Sequence, residues 1–247
     1  MTWRPEAANA TLADYKAVEE RLREVRSEAA AGIKAAQASG DVAAGAEWIS
    51  KLQGEFDAFK CFREGLPEGV RLSVNADRIL ESFFIDERGF VNLTIPPDIS
   101  DEGAIRALNE RFKELFPDKK RGAIHEPDIE KILGADDGSG RSPGDPRKVR
   151  LLGVVPGTTG MTRDEQRRYL KNWDLVFPHP AEQALAAIAY ACKCDAEDLF
   201  KGLFARSAIA PHSLGTDRSV GLWDSWHSDV LDNDNLAASG VPAVPLK

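Results

Sequence analysis

A pair of apolar stripes near the N-terminus constrains the fold of this chain most strongly. In each stripe, apolar residues follow one another at alternating spacings of about three and four, the period of a coiled-coil face on a helix. The first stripe consists of Tyr15, Val18, Leu22, Val25 and Ala29. The second consists of Ile49, Leu52, Phe56 and Phe59. Two such stripes in succession predict a helical hairpin over residues 1–66, with the two faces paired.

Polar residues at the predicted helix ends support the hairpin. Thr11 and Asp41 can cap the two starts, because short polar side chains accept hydrogen bonds from the first N–H groups of a helix. Gly40 can end the first helix. Each stripe is about three heptads long, and a free helix pair of that length is only marginally stable in water. We therefore expect the hairpin either to pack on the rest of its own protomer or to form a homo-oligomer with other copies.

After Leu66, the spacing of apolar residues changes to the period of two that is typical of β-strands. Two short runs, separated by a Gly-containing turn, alternate apolar and polar residues, as half-buried strands do. The apolar members are Val70, Leu72 and Val74 in the first run and Val91, Leu93 and Ile95 in the second. Ser100 then caps a predicted helix that ends near Phe116, since Pro117 cannot continue it. Residues 67–133 are therefore predicted to form a small α+β module.

The next stretch, residues 134–146, has no hydrophobic residue except Ala135 and is dense in turn-forming residues. That composition is typical of a linker, so we predict a linker over 134–147 and a C-terminal domain over 148–247. In that domain we expect a strand over 149–155, then helices opened by Thr162, Pro180 and Asp195, and finally short strands joined by an exposed loop. The predicted fold class of the whole chain is α+β.

Composition and charge exclude several classes of function. The formal net charge is −8, which argues against nucleic acid as a partner, because phosphate contacts require clustered Lys and Arg. The N-terminus lacks the features of a signal peptide, and no apolar run approaches the roughly 18 residues of a membrane helix. We therefore expect a soluble, cytoplasmic protein that does not bind membranes. Cys61, Cys192 and Cys194 lack the spacing of a redox pair and are expected to be reduced and mostly buried.

The sequence gives little support for catalysis. A Gly-rich turn at 153–162 would need Lys where Met161 stands to bind nucleotide phosphates, so we interpret it as an ordinary strand-to-helix connection. No two histidines have the spacing of a helical zinc pair, and no catalytic serine motif is present. The acidic loop 229–235 lacks the Gly and Glu of an EF-hand. We predict neither cofactor nor metal; the alternative is an enzyme site assembled from His179, His212, His227 and carboxylates.

The most unusual composition lies in residues 219–235. Trp223 and Trp226 alternate there with Ser, His, Asp and Asn, which form hydrogen bonds but fill a core poorly. Aromatic side chains provide rigid contact area and short polar ones provide adaptable hydrogen bonds, which is the composition of a binding surface. The other interpretation is a single buried Trp that anchors a C-terminal strand beside a solvated loop.

This window and the apolar segment after it resemble the C-terminal variable region of the C-type-lectin-fold proteins that are diversified by diversity-generating retroelements. The resemblance covers at most residues 148–247 and implies a C-type-lectin-like C-terminal domain that binds an unidentified protein or other macromolecule without catalysis. Leu222, Trp223 and residues 237–244 would be framework. The implied ligand-binding positions are Ser225, Trp226, His227, Asp229, Asp232, Asn233, Asp234 and Asn235. A third hypothesis is a virion or assembly component held together by the hairpin.

Overall fold

The chain divides into two compact units, Met1–Val74 and Asn75–Lys247, in a computed structural model. The described residues are 6–118, 123, 124, 129, 132, 147–197, 199, 200, 204–206, 212–217, 221–226, 236–238 and 240–242. Of these, residues 204–206, 212–217, 221–226, 236, 237, 241 and 242 are described by their backbone alone. Helices and antiparallel strands occur together, which confirms the predicted α+β class.

Two long helices, α1 (Leu12–Ser39) and α2 (Val42–Glu64), pack against each other in the first unit. The hydroxyl of Thr11 accepts a hydrogen bond from the Asp14 N–H at 3.2 Å, and the Asp14 carboxylate accepts one from the Thr11 N–H at 2.8 Å. Asp41 caps α2 by accepting from the Ala44 N–H at 3.0 Å. The predicted caps at the two helix starts are therefore confirmed.

Close approach of α1 and α2 near their connection depends on Gly32. A Cβ atom at this position would lie 2.2 Å from Nε1 of Trp48. The indole therefore occupies the space that any other residue at 32 would need. Lys51 lies on α2, as Trp48 does, and its Nζ is 4.6 Å from the centre of the Trp48 ring.

The core of the first unit lies at the other end of the helix pair. Tyr15, Phe62, Leu66 and Val74 are buried in one cluster. Val70 packs against the same cluster, one helical turn before Val74 on helix α3 (Glu68–Glu81). The strand predicted from Val70, Leu72 and Val74 is therefore wrong. Three alternating residues are too short a run to distinguish the two periods, and the contacts that bury this segment recur at helical spacing.

In the second unit, β1 (Phe84–Ile85), β2 (Val91–Ile95) and β3 (Arg147–Leu151) form an antiparallel sheet in that order. The predicted strand at β2 and the turn before it are confirmed, with the Gly89 N–H bonded to the Asp86 carbonyl at 2.8 Å. Helix α4 (Asp101–Leu115) is capped by Ser100 and ends before Phe116, as predicted.

Two further helices, α5 (Arg163–Lys171) and α6 (Pro180–Lys193), follow in the second unit. Ten of the fourteen residues of α6 are buried, and the helix contacts α4, β2, β3 and β6. A helix that is covered on nearly all sides is a central core element. On α4, the buried Asn109 exchanges two hydrogen bonds with the backbone of Ile124, at 2.9 and 3.2 Å.

The structure contains two compact units with a boundary after Val74, whereas four segments with other boundaries were predicted from the sequence. Strand β2 pairs with β3 over five residue positions, and α4 packs on α6. The segments predicted as a module over 67–133 and a domain over 148–247 therefore share one sheet and one core. Residues 134–146 lie outside the described residues, whereas Arg147 begins β3.

Short strands occur in the C-terminal part of the second unit. Strands β5 (Phe204–Arg206), β6 (His212–Asp217), β7 (Gly221–Trp226) and β8 (Leu236–Ala238) form a sheet of order β7-β6-β5-β8. Strands β4 (Leu175–Val176) and β9 (Val241–Pro242) pair separately. The cap predicted at Asp195 is wrong, because Asp195 and Ala196 have φ of 52° and 59° in the turn after α6. Within the described ranges, no helix combines the length and the apolarity needed to cross a membrane.

Candidate functional site

Strand β7 contains the first residues of the candidate binding window. Trp226 pairs with His212 of β6, and Ser225 pairs with Ser213. The ladder between the two strands extends over six residue pairs. The remaining predicted ligand-binding positions are outside the described residues: His227, Asp229, Asp232, Asn233, Asp234 and Asn235. The structure therefore brings one further histidine, His212, next to the window at the level of Trp226.

The ladder assigns positions 225 and 226 to opposite faces of the sheet, because successive residues of a strand alternate between faces. Ser225, Ser213, Arg206 and Ala238 form one row of paired positions across the four strands. Directly paired positions share a face, and Ala238 in this row is fully buried. Position 225 therefore belongs to the face that carries the buried Ala238, and position 226 to the other face.

Strand β8, which follows the window, is fixed to the core by backbone hydrogen bonds. The Ala238 N–H donates to the hydroxyl of Thr158 at 2.9 Å, and the Ala238 carbonyl accepts from the Val155 N–H at 2.8 Å. Two residues later, Gly240 and Leu152 exchange two hydrogen bonds, at 2.9 and 3.1 Å. The chain after the window is thus held at two successive points.

A hydrophobic cluster covers these anchoring bonds. Ala238 is buried there with Val155, Leu170, Leu175 and Phe177. A Cβ atom at position 240 would lie 2.9 Å from Cδ1 of Leu175, so the strand approaches the cluster closely. The predicted apolar framework over 237–244 therefore includes four described positions, 238, 240, 241 and 242, that pair with the core of the second unit.

The Gly-rich turn at 153–162 supports this anchor. Thr158 is fully buried, and its hydroxyl donates to the Val155 carbonyl at 2.7 Å while it accepts from Ala238. The buried side chain of Gln166 on α5 donates to the Thr158 carbonyl at 2.8 Å. Thr162 then caps α5 with Glu165. The hydrogen-bonding groups of Thr158 are thus engaged within the protein, in agreement with the interpretation of this turn as a strand-to-helix connection.

Of the three histidines in the enzyme alternative, the structure describes the side chain of His179 alone. Nδ1 of His179 accepts the Ala181 N–H at 3.1 Å and caps α6. His212 is on β6, and His125 and His227 lie outside the described residues. No group of His, Cys, Asp and Glu able to hold a metal ion occurs among the residues that were described. The acidic loop 229–235 lies outside them as well.

All three cysteines are free thiols. Burial raises the pKa of the Cys192 thiol to about 12, against the opposing effect of the charges of Arg111 and Lys193. Burial also raises the pKa of the Cys194 thiol above its ordinary value. Neither is therefore ionised near neutral pH, and a thiol needs its ionised form to react as a nucleophile. Cys61 is exposed and the other two thiols are half-buried, so the prediction of mostly buried thiols is wrong.

A polar cluster that the sequence did not predict joins β3 to the turn before β2. The Asp86 carboxylate accepts from the Phe90 and Arg88 N–H groups at 3.0 Å and from Nη2 of Arg150 at 2.6 Å. The Arg150 guanidinium lies 4.5 Å from the centre of the Phe90 ring. Burial alone would raise the pKa of Asp86, but these hydrogen bonds together hold it below its ordinary value.

The polar groups of this cluster face one another, so its role is to fix the turn against β3. Asp86 and Gly89 predict a turn, because Asp and Gly are common turn residues. The hydrogen bond of Asp86 with Arg150, 64 residues away, could not be predicted from the spacing of residues.

Comparison with protein-family models, with curated proteins and with solved structures gives no match to this chain. The function is therefore inferred from the geometry and composition of the window and its supports.

Proposed function

We propose that this protein is a non-catalytic binding protein whose ligand-binding surface is formed by the window at 219–235. The ligand class is a protein or another macromolecule, because contact residues rich in Trp, Asp, Asn and Ser suit extended, partly polar surfaces. We propose further that the C-terminal region is related to the variable proteins of diversity-generating retroelements. This relationship would imply a C-type-lectin-like fold for that region.

The observation that carries the proposal is that backbone pairing holds the window in its first part and just after its end. In its first part, β7 pairs with β6 over six residue positions. After it, Ala238 is bonded to Val155 and Thr158. A segment fixed at both ends by backbone hydrogen bonds can change its side chains at little cost to the fold, because those bonds involve no side chain of the window itself.

We assign a framework role to one face of the sheet and a binding role to the other. Trp223 and Ser225 occupy positions on the face of the buried Ala238, which suits framework residues. Trp226 occupies a position on the opposite face, paired with His212. We therefore place the structured end of the binding surface at Trp226 and His212, and we regard Ser225 as its least favoured member.

A library that randomises His227, Asp229, Asp232, Asn233, Asp234 and Asn235 tests the proposal. We expect most members to resist proteolysis as the parent does, because surface substitutions usually change stability by less than about 0.5 kcal/mol. A matched library at buried positions of α6, such as Ala184 and Ile188, should lose resistance in most members. If the window library is as protease-sensitive as the α6 library, the window is structural and the proposed function fails.

Native DNA provides an independent test of the resemblance. A variable protein of this class requires a neighbouring reverse transcriptase and an imperfect repeat of the codons for residues 219–235. Sequencing of the flanking DNA that finds neither would remove the retroelement resemblance, while the library result would still show whether the window tolerates substitution.

A further inference from the structure

Helix α2 leaves most of its apolar side chains uncovered. Of its 23 residues, only Phe62 is fully buried, whereas α1 buries five residues, Tyr15 among them. Val42, Ile49 and Phe56 are 84%, 59% and 40% exposed. A helix on the surface of a globular protein usually turns its apolar stripe inward, so this side of α2 is unusual.

These three exposed residues form one line along the helix. Their spacing is seven residues at both steps, and residues about seven apart lie nearly above one another on an α-helix. The line runs beside the inner residues of α2, Trp48, Leu52 and Phe59, which are partly buried. The three side chains recur every second turn along the length of α2. A partner helix that lies along α2 can contact all three.

We propose that the face of α2 defined by Val42, Ile49 and Phe56 binds the same face of a second copy of this chain, with the two helices antiparallel. In that arrangement Ile49 meets Ile49 of the second copy on the two-fold axis. Val42 then faces Phe56 of the second copy, and the same pair repeats on the other side. A C2 interface requires this self-complementarity.

Side-chain size supports the antiparallel arrangement. On the proposed face, the N-terminal half of α2 carries the small residue Ala46 beside Val42, whereas the C-terminal half carries Phe56. Antiparallel pairing sets the small half of one helix against the large half of the other, so the axes keep a constant separation. Large residues opposite small ones fill an interface without voids. A parallel pair would instead place Phe56 against Phe56 and Val42 against Val42.

The available area fits a reversible dimer. Helix α2 is about 34 Å long at about 1.5 Å per residue, and its face is about 10 Å wide. Two such faces measure about 700 Å² in total, well below the roughly 1,200 Å² at which standard-size interfaces begin and in the range of weak, transient contacts. The dimer should therefore depend on concentration, and the two paired hairpins would form four antiparallel-packed helices.

Sedimentation velocity on the full chain tests the proposal. We expect a monomer–dimer equilibrium, and the variant Ile49→Glu should raise the dimer dissociation constant by about 30-fold or more, as loss of an interface hot spot does. The matched control is Ala31→Glu, which adds the same charge at an exposed position of α1 and should leave dimerisation unchanged. Circular dichroism of both variants should match the parent, because both positions are exposed in one protomer.

Cysteine cross-linking tests the orientation of the helices. In a Cys61→Ser background, a chain with Val42→Cys mixed with a chain with Phe56→Cys should form a disulfide-linked dimer on oxidation. Each chain alone should cross-link far less. A monomer at every concentration, a dimer insensitive to Ile49→Glu, or cross-linking of Val42→Cys with itself would each overturn the proposal.

Discussion

The hydroxyl of Thr158 accepts a hydrogen bond at 2.9 Å from the N–H of Ala238, a residue 80 positions further along the chain. Both residues are fully buried. The bond joins the Gly-rich turn to the strand that follows the proposed binding window. A buried N–H that loses its partner destabilises a protein by about 1–3 kcal/mol, so this single side chain is important for the position of β8.

We therefore predict that Thr158→Val lowers the free energy of unfolding by about 1–3 kcal/mol. Valine preserves the shape of threonine but removes the acceptor for Ala238 and the donor to the Val155 carbonyl. Thr158→Ser keeps the hydroxyl and should be closer to the parent. Urea unfolding of the three proteins measures the difference. Equal stability of the Val and Ser variants would show that the hydroxyl does not hold β8.

Local features of this fold were predictable because their causes are close together in the sequence. Thr11 with Asp14, Asp41 with Ala44 and Ser100 with Gly103 are pairs within a single helical turn. The physical event, a side chain that accepts from the first N–H groups, involves only neighbours. For this reason the starts of α1, α2 and α4 could be read directly.

The arrangement of the second unit could not be predicted in the same way. Strand β3 pairs with β2 although helix α4 and residues 134–146 lie between them in the chain, and the composition of 134–146 is typical of a linker. Composition shows that a stretch does not enter a core; it does not show whether the segments on either side share one. The bonds of Thr158 to Ala238 and of Arg150 to Asp86 are long-range in the same sense.

Of the candidate site, sequence reasoning identified the composition of the window and its flanking apolar segments. It could not assign faces, because the face of a residue depends on the register of pairing. The pairing of Trp226 with His212 and the row from Ser225 to Ala238 supply that register. Without it, Ser225 and Trp226 appeared equivalent.

A second prediction concerns the contact between Gly32 and Trp48. Gly32→Leu should displace the indole, because even a Cβ atom at position 32 would lie 2.2 Å from Nε1 of Trp48. We expect a loss of stability of about 1–3 kcal/mol, as for overpacking of a filled site, and a change in the Trp fluorescence spectrum. Gly54→Leu, at a position with open space around it, is the matched control. Because Leu favours a helix more than Gly does, Gly54→Leu should not lose stability; equal stability of the two variants would show that the indole yields to a side chain at position 32 without cost.

The third prediction follows from the lowered pKa of Asp86. A carboxyl group whose pKa is lower in the folded state than in the unfolded state stabilises the fold above its unfolded pKa, for which the ordinary value is 3.8. That stabilisation is lost as the pH falls through the lower, folded pKa. Asp86→Asn should therefore have a lower free energy of unfolding than the parent at neutral pH. This difference between the two proteins should become smaller as the pH falls below the ordinary pKa of 3.8.

Denaturant unfolding at a series of pH values measures this dependence. Asp57→Asn, which removes one negative charge from an exposed position on α2, controls for net charge. A stability difference between the parent and Asp86→Asn that stays constant from neutral pH into acid would contradict the link between Asp86 and Arg150.

The last prediction compares Trp223 and Trp226, which are three positions apart on β7 and therefore on opposite faces of the sheet. Position 223 shares a face with the buried Ala238, so Trp223→Ala should cost roughly 3–5 kcal/mol, the range for removal of a large buried aromatic side chain. Position 226 pairs with His212 on the other face. As a contact residue, Trp226→Ala should leave the melting temperature nearly unchanged and weaken capture of a ligand selected on the parent protein. Thermal unfolding of the two single variants, with Phe as the conservative replacement at each position, separates the roles. If Trp226→Ala destabilises the protein as severely as Trp223→Ala, both faces of β7 are structural, and the proposed binding surface loses Trp226.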